Sequence, residues 1–116
     1  MPAKGDVSVT LKALSPEERS DALEKAARAR ARRALAKEQL RTGELSIAGL
    51  IKSAQTDEAI ARMRVSELIE AVPGIGPVRA AAIMAEIGIA PSRRLRGLGI
   101  HQSRSLIDFM EDKYRV

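Results

Sequence analysis

The sequence has no cysteine or tryptophan, and it has one residue each of histidine, phenylalanine and tyrosine. The lack of cysteine excludes disulfide bonds, a thiol nucleophile and a thiolate zinc site. One histidine cannot build a multi-histidine metal centre, so we expect no metal or cofactor. No apolar run approaches the roughly 18 residues of a membrane span, and residues 1–10 lack the apolar segment of a signal peptide. We therefore expect a cytoplasmic protein with no membrane partner.

Positive charge is the main feature of the composition. The 116 residues include 20 Lys and Arg against 15 Asp and Glu, which gives a net charge of +5 and a pI of about 10.1. This length predicts one domain. A basic balance of this size favours an acidic partner, of which nucleic acid is the commonest.

The chain divides into an arm and a helical domain. Residues 1–14 lack periodicity and predict a flexible N-terminal arm. Residues 15–116 predict a single all-α domain, with a long basic helix over 15–42 and a compact multi-helix body over 45–116, because no stretch has a convincing strand pattern with a partner.

The long helix has clear start and stop signals. Ser15 can cap it, Pro16 fits its first position, and Glu18 completes a capping box. Gly43 is a natural terminator. Its large apolar residues are few, so we expect it to pack on the body through a narrow stripe that includes Leu23, Leu35 and Leu40.

The second half of this helix is strongly basic. Two acids, Glu24 and Glu38, stand among seven cations: Lys25, Arg28, Arg30, Arg32, Arg33, Lys37 and Arg41. Such a run is either a solvated face or a surface for a phosphate backbone. We take Arg28, Arg32 and Arg33 as the candidates for phosphate contact.

A glycine hairpin between two amphipathic helices predicts a phosphate clamp. Gly74, Ile75 and Gly76 form the hairpin, and glycine permits close approach and positive φ. The helix that follows starts with Pro77, Val78 and Arg79, and its N-terminal amides and dipole favour a phosphate. A second turn after this helix adds Arg93, Arg94 and Arg96.

Other nucleotide and catalytic motifs do not fit. A dinucleotide fingerprint requires a preceding strand and a small residue where Arg79 stands. A P-loop requires Gly-Lys-Ser/Thr, which is absent. The acidic residues have no spacing that a two-carboxylate or metal mechanism demands, so we expect no enzyme activity. Phe109 and Tyr114 are too few for base stacking, which favours contact with a duplex backbone.

The hairpin and the second turn resemble the helix-two-turns-helix (H2TH) motif. This motif is shared by formamidopyrimidine-DNA glycosylases and a small-subunit ribosomal protein that contacts RNA. Over residues 14–109 the chain is more similar to the actinobacterial, mycobacterial-type integration host factors. The pieces that carry this resemblance are Ala22-Leu-Glu-Lys-Ala-Ala27, Met63-x-Val65-Ser66-x-Leu68 and Ile89-Ala-Pro-x-Arg-Arg-Leu-Arg-Gly-Leu-Gly99.

The resemblance implies a monomeric, nucleoid-associated protein that binds double-stranded DNA with little sequence preference. Such a protein bends and compacts DNA and assists recombination, with a phage integrase as a possible partner. The hairpin, the helix start and the arginine turn would then contact DNA. An RNA-binding, ribosome-associated protein with the same motif is the alternative. A glycosylase-like lyase would use the Pro2 amine, but Ala3 stands where such enzymes carry an acid.

Overall fold

The computed structural model describes residues 14–116, which contain six α-helices and no strand. The helices are α1 (Pro16–Thr42), α2 (Ile47–Ser53), α3 (Glu58–Ala61), α4 (Val65–Glu70), α5 (Pro77–Ile87) and α6 (Ile100–Tyr114), with a 3₁₀ turn at Leu95–Gly97 before α6. The all-α prediction is therefore confirmed. Residues 1–13 of the predicted arm, with Pro2 and Ala3, lie outside the described residues, and the division of the chain into arm and domain stays a prediction.

Helix α1 begins and ends where its local signals predict. The Ser15 hydroxyl accepts from the Glu18 N–H at 3.0 Å, and the Glu18 carboxylate accepts from the Ser15 N–H at 2.8 Å. Gly43 ends the helix with a φ of 83°, and its N–H donates to the carbonyl of Leu40. At 1.5 Å per residue the 27 residues of this helix are about 40 Å long.

Only the C-terminal half of α1 is anchored in the core. Ala36 and Leu40 are its buried residues, and the helix packs mainly against α3. The predicted stripe is wrong at two positions, because Leu23 is 71% exposed and Leu35 is 52% exposed. Their angular positions on the helix point away from the body, so the stripe that packs is shorter and contains alanine.

The body is built around one hydrophobic cluster to which all six helices contribute. Its largest fully buried side chains include Ile60, Leu68, Met84, Leu106 and Met110. Helix α4 packs against α5, and α2 packs against α6. The chain then runs α4, hairpin, α5, second turn, α6, so the order of elements is that of a helix-two-turns-helix motif.

Backbone hydrogen bonds tie the second turn to the segment between α3 and α4. The Leu95 N–H donates to the Met63 carbonyl at 2.9 Å, and the Val65 N–H donates to the Arg93 carbonyl at 3.0 Å. These bonds flank an isolated antiparallel bridge between Arg64 and Arg94. The turn that carries the arginines is therefore held in a fixed place beside α3.

Candidate functional site

An open basic groove of about 1100 Å³ lies between α1 and the body. Eight cationic and three acidic side chains line it. The cations are Lys25, Arg28, Arg30, Arg32, Arg33, Arg62, Arg94 and Arg96; the acids are Asp57, Glu58 and Glu67. The groove therefore has a clear excess of positive charge and suits a polyanion.

Helical periodicity places the α1 cations on one wall of this groove. Lys25, Arg28 and Arg32 follow at i, i+3 and i+7, a spacing that lies along one face of a helix. Three small residues of α1, Ala22, Ala26 and Ala29, line the groove beside these cations. The alanines leave the wall open, so a bulky ligand can approach the arginines.

The opposite wall comes from the end of α3 and from the second turn. The Arg94 guanidinium donates to the Arg62 carbonyl at 2.6 Å. Arg96 lies on the 3₁₀ turn and lines the same groove. Arginines that are distant in sequence are thus brought to face the basic half of α1.

Two of the three acids are already engaged by arginines of the groove. The Asp57 carboxylate accepts from Arg32 Nε at 2.7 Å, and Glu58 forms an ion pair with Arg62 at 2.8 Å. The remaining groove cations have no acidic partner within the described part of the chain. They are available to neutralise phosphate.

Arg93 has a different environment from Arg94. It is half-buried and does not line the groove. Its guanidinium donates to the Gly97 carbonyl at 2.8 Å and closes the 3₁₀ turn. The geometry therefore gives Arg93 a structural contact that the sequence pattern did not predict.

The two hairpin glycines differ in backbone conformation. Gly74 has a φ of 89°, in the left-handed region, whereas Gly76 has a φ of −96° and a ψ of −176°, which is extended. Only Gly74 therefore needs glycine for its φ, and the expectation of positive φ does not hold at Gly76. Ile75 between them is 5% exposed and belongs to the core, so only its backbone is available to a ligand.

The start of α5 has free donors. Gly76 is the N-cap, no side chain caps the helix, and Pro77 has no N–H. The N–H groups of Val78 and Arg79 have no partner among the described residues. Together with the helix dipole, these two donors suit an anion.

A shallow depression of about 620 Å³ surrounds this helix start. Its lining includes the hairpin and the start of α5 (Gly74, Gly76, Pro77, Val78 and Arg79), one acid of α5, Glu86, and Tyr114 of α6. The Arg79 guanidinium donates to the Tyr114 hydroxyl at 3.4 Å. Val78 is 85% exposed at the rim.

The hairpin and the arginine turn do not form a single clamp. The depression and the basic groove share no lining residue. The hairpin lies before the start of α5 and the second turn lies after its end, and the 11 residues of α5 span about 16 Å. Arg94 and Arg96 instead join Arg28, Arg32 and Arg33, so the predicted site residues fall on two surfaces.

Sequence reasoning did not single out Arg62, which lies in the groove at the end of α3. Its place depends on how α3 packs under α1, and no local pattern reveals that. Arg30 also lines the groove. In the sequence, only its position within the basic run of α1 indicates such a role.

No helix within residues 14–116 combines the length and the apolarity that a bilayer crossing requires. Within the same range, His, Asp and Glu side chains do not gather in threes as metal ligands would.

Comparison with known proteins identifies the family of this chain. The model of the S13-like H2TH domain matches residues 40–109. The integration host factor of Mycobacterium tuberculosis is 46% identical over 100 residues, which are 86% of this chain and 95% of the relative. That of Streptomyces coelicolor is 48% identical over 98 residues, which are 84% of this chain and 92% of the relative.

A solved structure described as sIHF bound to an 8-bp palindromic DNA has the same fold. Its TM-score is 0.70 at 48% identity, and the match covers 72% of this chain and 93% of that chain. The chain therefore belongs to the family of these integration host factors, with an S13-like H2TH domain in its body.

Proposed function

We propose that the protein binds double-stranded DNA with little sequence preference and bends it, as a nucleoid-associated architectural protein. The observation that carries the proposal is the basic groove, where cations of α1 face Arg94 and Arg96 of the second turn. The similar protein that was solved with DNA supports the choice of duplex DNA as the ligand.

The chemistry of the two surfaces favours the backbone over the bases. Guanidinium groups and free helix N–H groups bind phosphate oxygens, which carry no sequence information. The depression offers α5 N–H donors and Arg79, and the groove offers arginines on both walls. Contacts at two separate surfaces can hold a duplex in a bent shape, because bending must be repaid by contacts at separated points.

Within this proposal the protein acts as a non-enzymatic monomer of the nucleoid. Compaction of DNA and assistance to recombination, with a phage integrase as partner, are part of the same proposal, and the integration host factor relatives support the role in recombination. A lyase that uses the Pro2 amine would be trapped on damaged DNA by borohydride, and a covalent adduct would overturn the non-enzymatic assignment.

Salt dependence of binding tests the proposal directly. With about 4–6 phosphate contacts, the logarithm of the binding constant should fall with the logarithm of salt concentration with a slope of about −4 to −5. Fluorescence anisotropy of a labelled duplex between about 50 and 200 mM salt measures this slope. Scrambling the DNA sequence should change the affinity by less than about tenfold. A flat salt response, or a thousandfold preference for one site, contradicts the proposal.

RNA is the second candidate ligand, because the matching family model is described as S13-like. The same titration with structured RNA as competitor separates the two. Duplex DNA should displace the labelled duplex at a lower concentration than structured RNA does. The reverse order would make the protein an RNA-binding member of the family.

A further inference from the structure

Helix α3 contacts both walls of the basic groove. It has four residues, Glu58–Ala61, and it is the element against which α1 mainly packs. Its N-cap is Asp57 and its C-cap is Arg62. The relative position of the two walls therefore depends on contacts at the two ends of this short helix.

At the N-terminal end, one carboxylate joins α3 to α1. Oδ1 of Asp57 accepts from the N–H groups of Ala59 at 3.1 Å and Ile60 at 3.4 Å, which caps α3. Oδ2 accepts from Arg32 Nε at 2.7 Å. The side chains of Arg32 and Asp57 are 34% and 27% exposed, so this pair is better shielded than a fully exposed one.

At the C-terminal end, a carbonyl holds the opposite wall. The Arg62 carbonyl accepts from Arg94, and the next carbonyl, that of Met63, accepts from the Leu95 N–H. Because α3 is a single helical turn, it fixes the distance between the Arg32 contact at its N-terminal end and the Arg94 contact at its C-terminal end. The spacing between the α1 arginines and the second turn follows from this arrangement.

We infer that Asp57 is a positioning residue for DNA binding: it orients α1 through Arg32 and so sets the width of the basic groove. This inference rests on the proposed function. A carboxylate in a phosphate-binding groove repels the ligand if it acts through its charge alone. Removal of the Asp57 charge should therefore raise the DNA affinity if Asp57 only repels DNA, and lower it if Asp57 positions α1.

The test is Asp57→Asn with Glu58→Gln as the matched control. Each removes one negative charge from the groove, and Glu58 holds only Arg62 of its own helix end. Asparagine caps helices well, but its one carbonyl oxygen cannot both cap α3 and accept from Arg32. We expect Glu58→Gln to tighten duplex binding about threefold and Asp57→Asn to weaken it about threefold.

A second variant changes Arg32, the other residue of the Arg32–Asp57 contact. Arg32→Lys keeps the charge of α1 but removes the Nε donor, so it should weaken binding about as much as Asp57→Asn. The double variant should be no weaker than either single one, because both act through one contact. End-to-end fluorescence transfer on a doubly labelled duplex at saturating protein should report an altered bend for all three.

The outcomes separate the inference from the function beneath it. Tighter binding by Asp57→Asn, equal to that of Glu58→Gln, overturns the positioning role, and so do additive losses in the double variant. If Asp57→Asn does not fold, unchanged binding and bending by Arg32→Lys overturns it instead. Absence of salt-dependent duplex binding by the wild-type protein would contradict the proposed function itself.

Discussion

Gly74 requires glycine for its conformation, whereas Gly76 does not. A Cβ would meet no atom within 4 Å at either position, so sterics alone do not separate them. The φ of Gly74 is 89°, which costs an L-residue roughly 1–2 kcal/mol. We expect Gly74→Ala to lower the free energy of unfolding by about 1 kcal/mol, and Gly76→Ala to leave it nearly unchanged, in thermal or urea melts.

Gly76 is the better probe of DNA contact for the same reason. A side chain there would stand beside the free N–H groups of Val78 and Arg79 without straining the backbone. At physiological salt we expect Gly76→Val to lose most duplex binding while keeping a wild-type circular dichroism spectrum; at low salt the basic groove alone should still bind duplex. Wild-type affinity in an anisotropy titration would show that the hairpin is only a turn and that DNA binds elsewhere.

The adjacent residues Arg93 and Arg94 should respond differently to alanine. Arg93 closes the 3₁₀ turn on the Gly97 carbonyl, so Arg93→Ala should cost about 1 kcal/mol of stability. Arg94 lines the groove and also donates to the Arg62 carbonyl, so Arg94→Ala should cost a similar amount of stability and in addition weaken duplex binding by about 1–2 kcal/mol. Melting and anisotropy on both variants check this, and equal losses of duplex affinity would show that the groove does not distinguish them.

At the scale of the element, α1 carries cations inside the groove and, near its two ends, outside it, with different expected roles. Arg28 and Arg33 line the groove, whereas Arg19 and Arg41 do not. Arg41 instead donates to Glu38, and this contact lowers the pKa of the Glu38 carboxyl below its usual value. If α1 contacts phosphate through the groove, equal losses of charge inside and outside the groove should have unequal effects on DNA binding.

We expect Arg28→Ala with Arg33→Ala to reduce the salt slope by about 2, since each lost phosphate contact removes about 1. Arg19→Ala with Arg41→Ala removes the same charge and should change the slope by much less. Salt titrations of both double variants provide the comparison. Identical slopes would mean that α1 is a solvated rod whose charge acts only at long range.

The limits of α1 could be predicted because its signals are local. Ser15, Glu18 and Gly43 act within one helical turn, and the structure uses all three as expected. Its packing could not be predicted, because burial depends on where α3 lies. Leu23 and Leu35 are large and apolar, yet they face away from the body, while the smaller Ala36 is buried.

The same limit applies to the candidate site. The residue types of both turns could be identified from glycine spacing and charge, and the H2TH order of elements is confirmed. Their grouping could not be derived from sequence: Arg94 is held opposite α1 by the Arg62 carbonyl at the end of α3, a contact between residues 32 positions apart. Such pairings arise from packing of the whole chain and leave no periodic pattern.

At the scale of the whole molecule, the two surfaces raise the question of how one duplex is bent. The basic groove and the hairpin depression share no residue, and the two turns lie at opposite ends of α5. Bending a duplex costs of order 1–6 kcal/mol, which contacts at separated points must offset. A single surface would hold the duplex nearly straight, so both surfaces should be needed for the bend.

We therefore expect variants that damage one surface to lose DNA bending before they lose DNA binding. At saturating protein and low salt, Gly76→Val and the Arg28→Ala, Arg33→Ala double variant should each bind duplex through the surface that remains. Both should give less end-to-end fluorescence transfer than the wild type. Sedimentation should report one duplex per protein for the wild type, because both surfaces contact the same molecule. Two duplexes per protein, with full transfer in either variant, would assign the surfaces to separate DNA molecules and make the protein a bridge between duplexes.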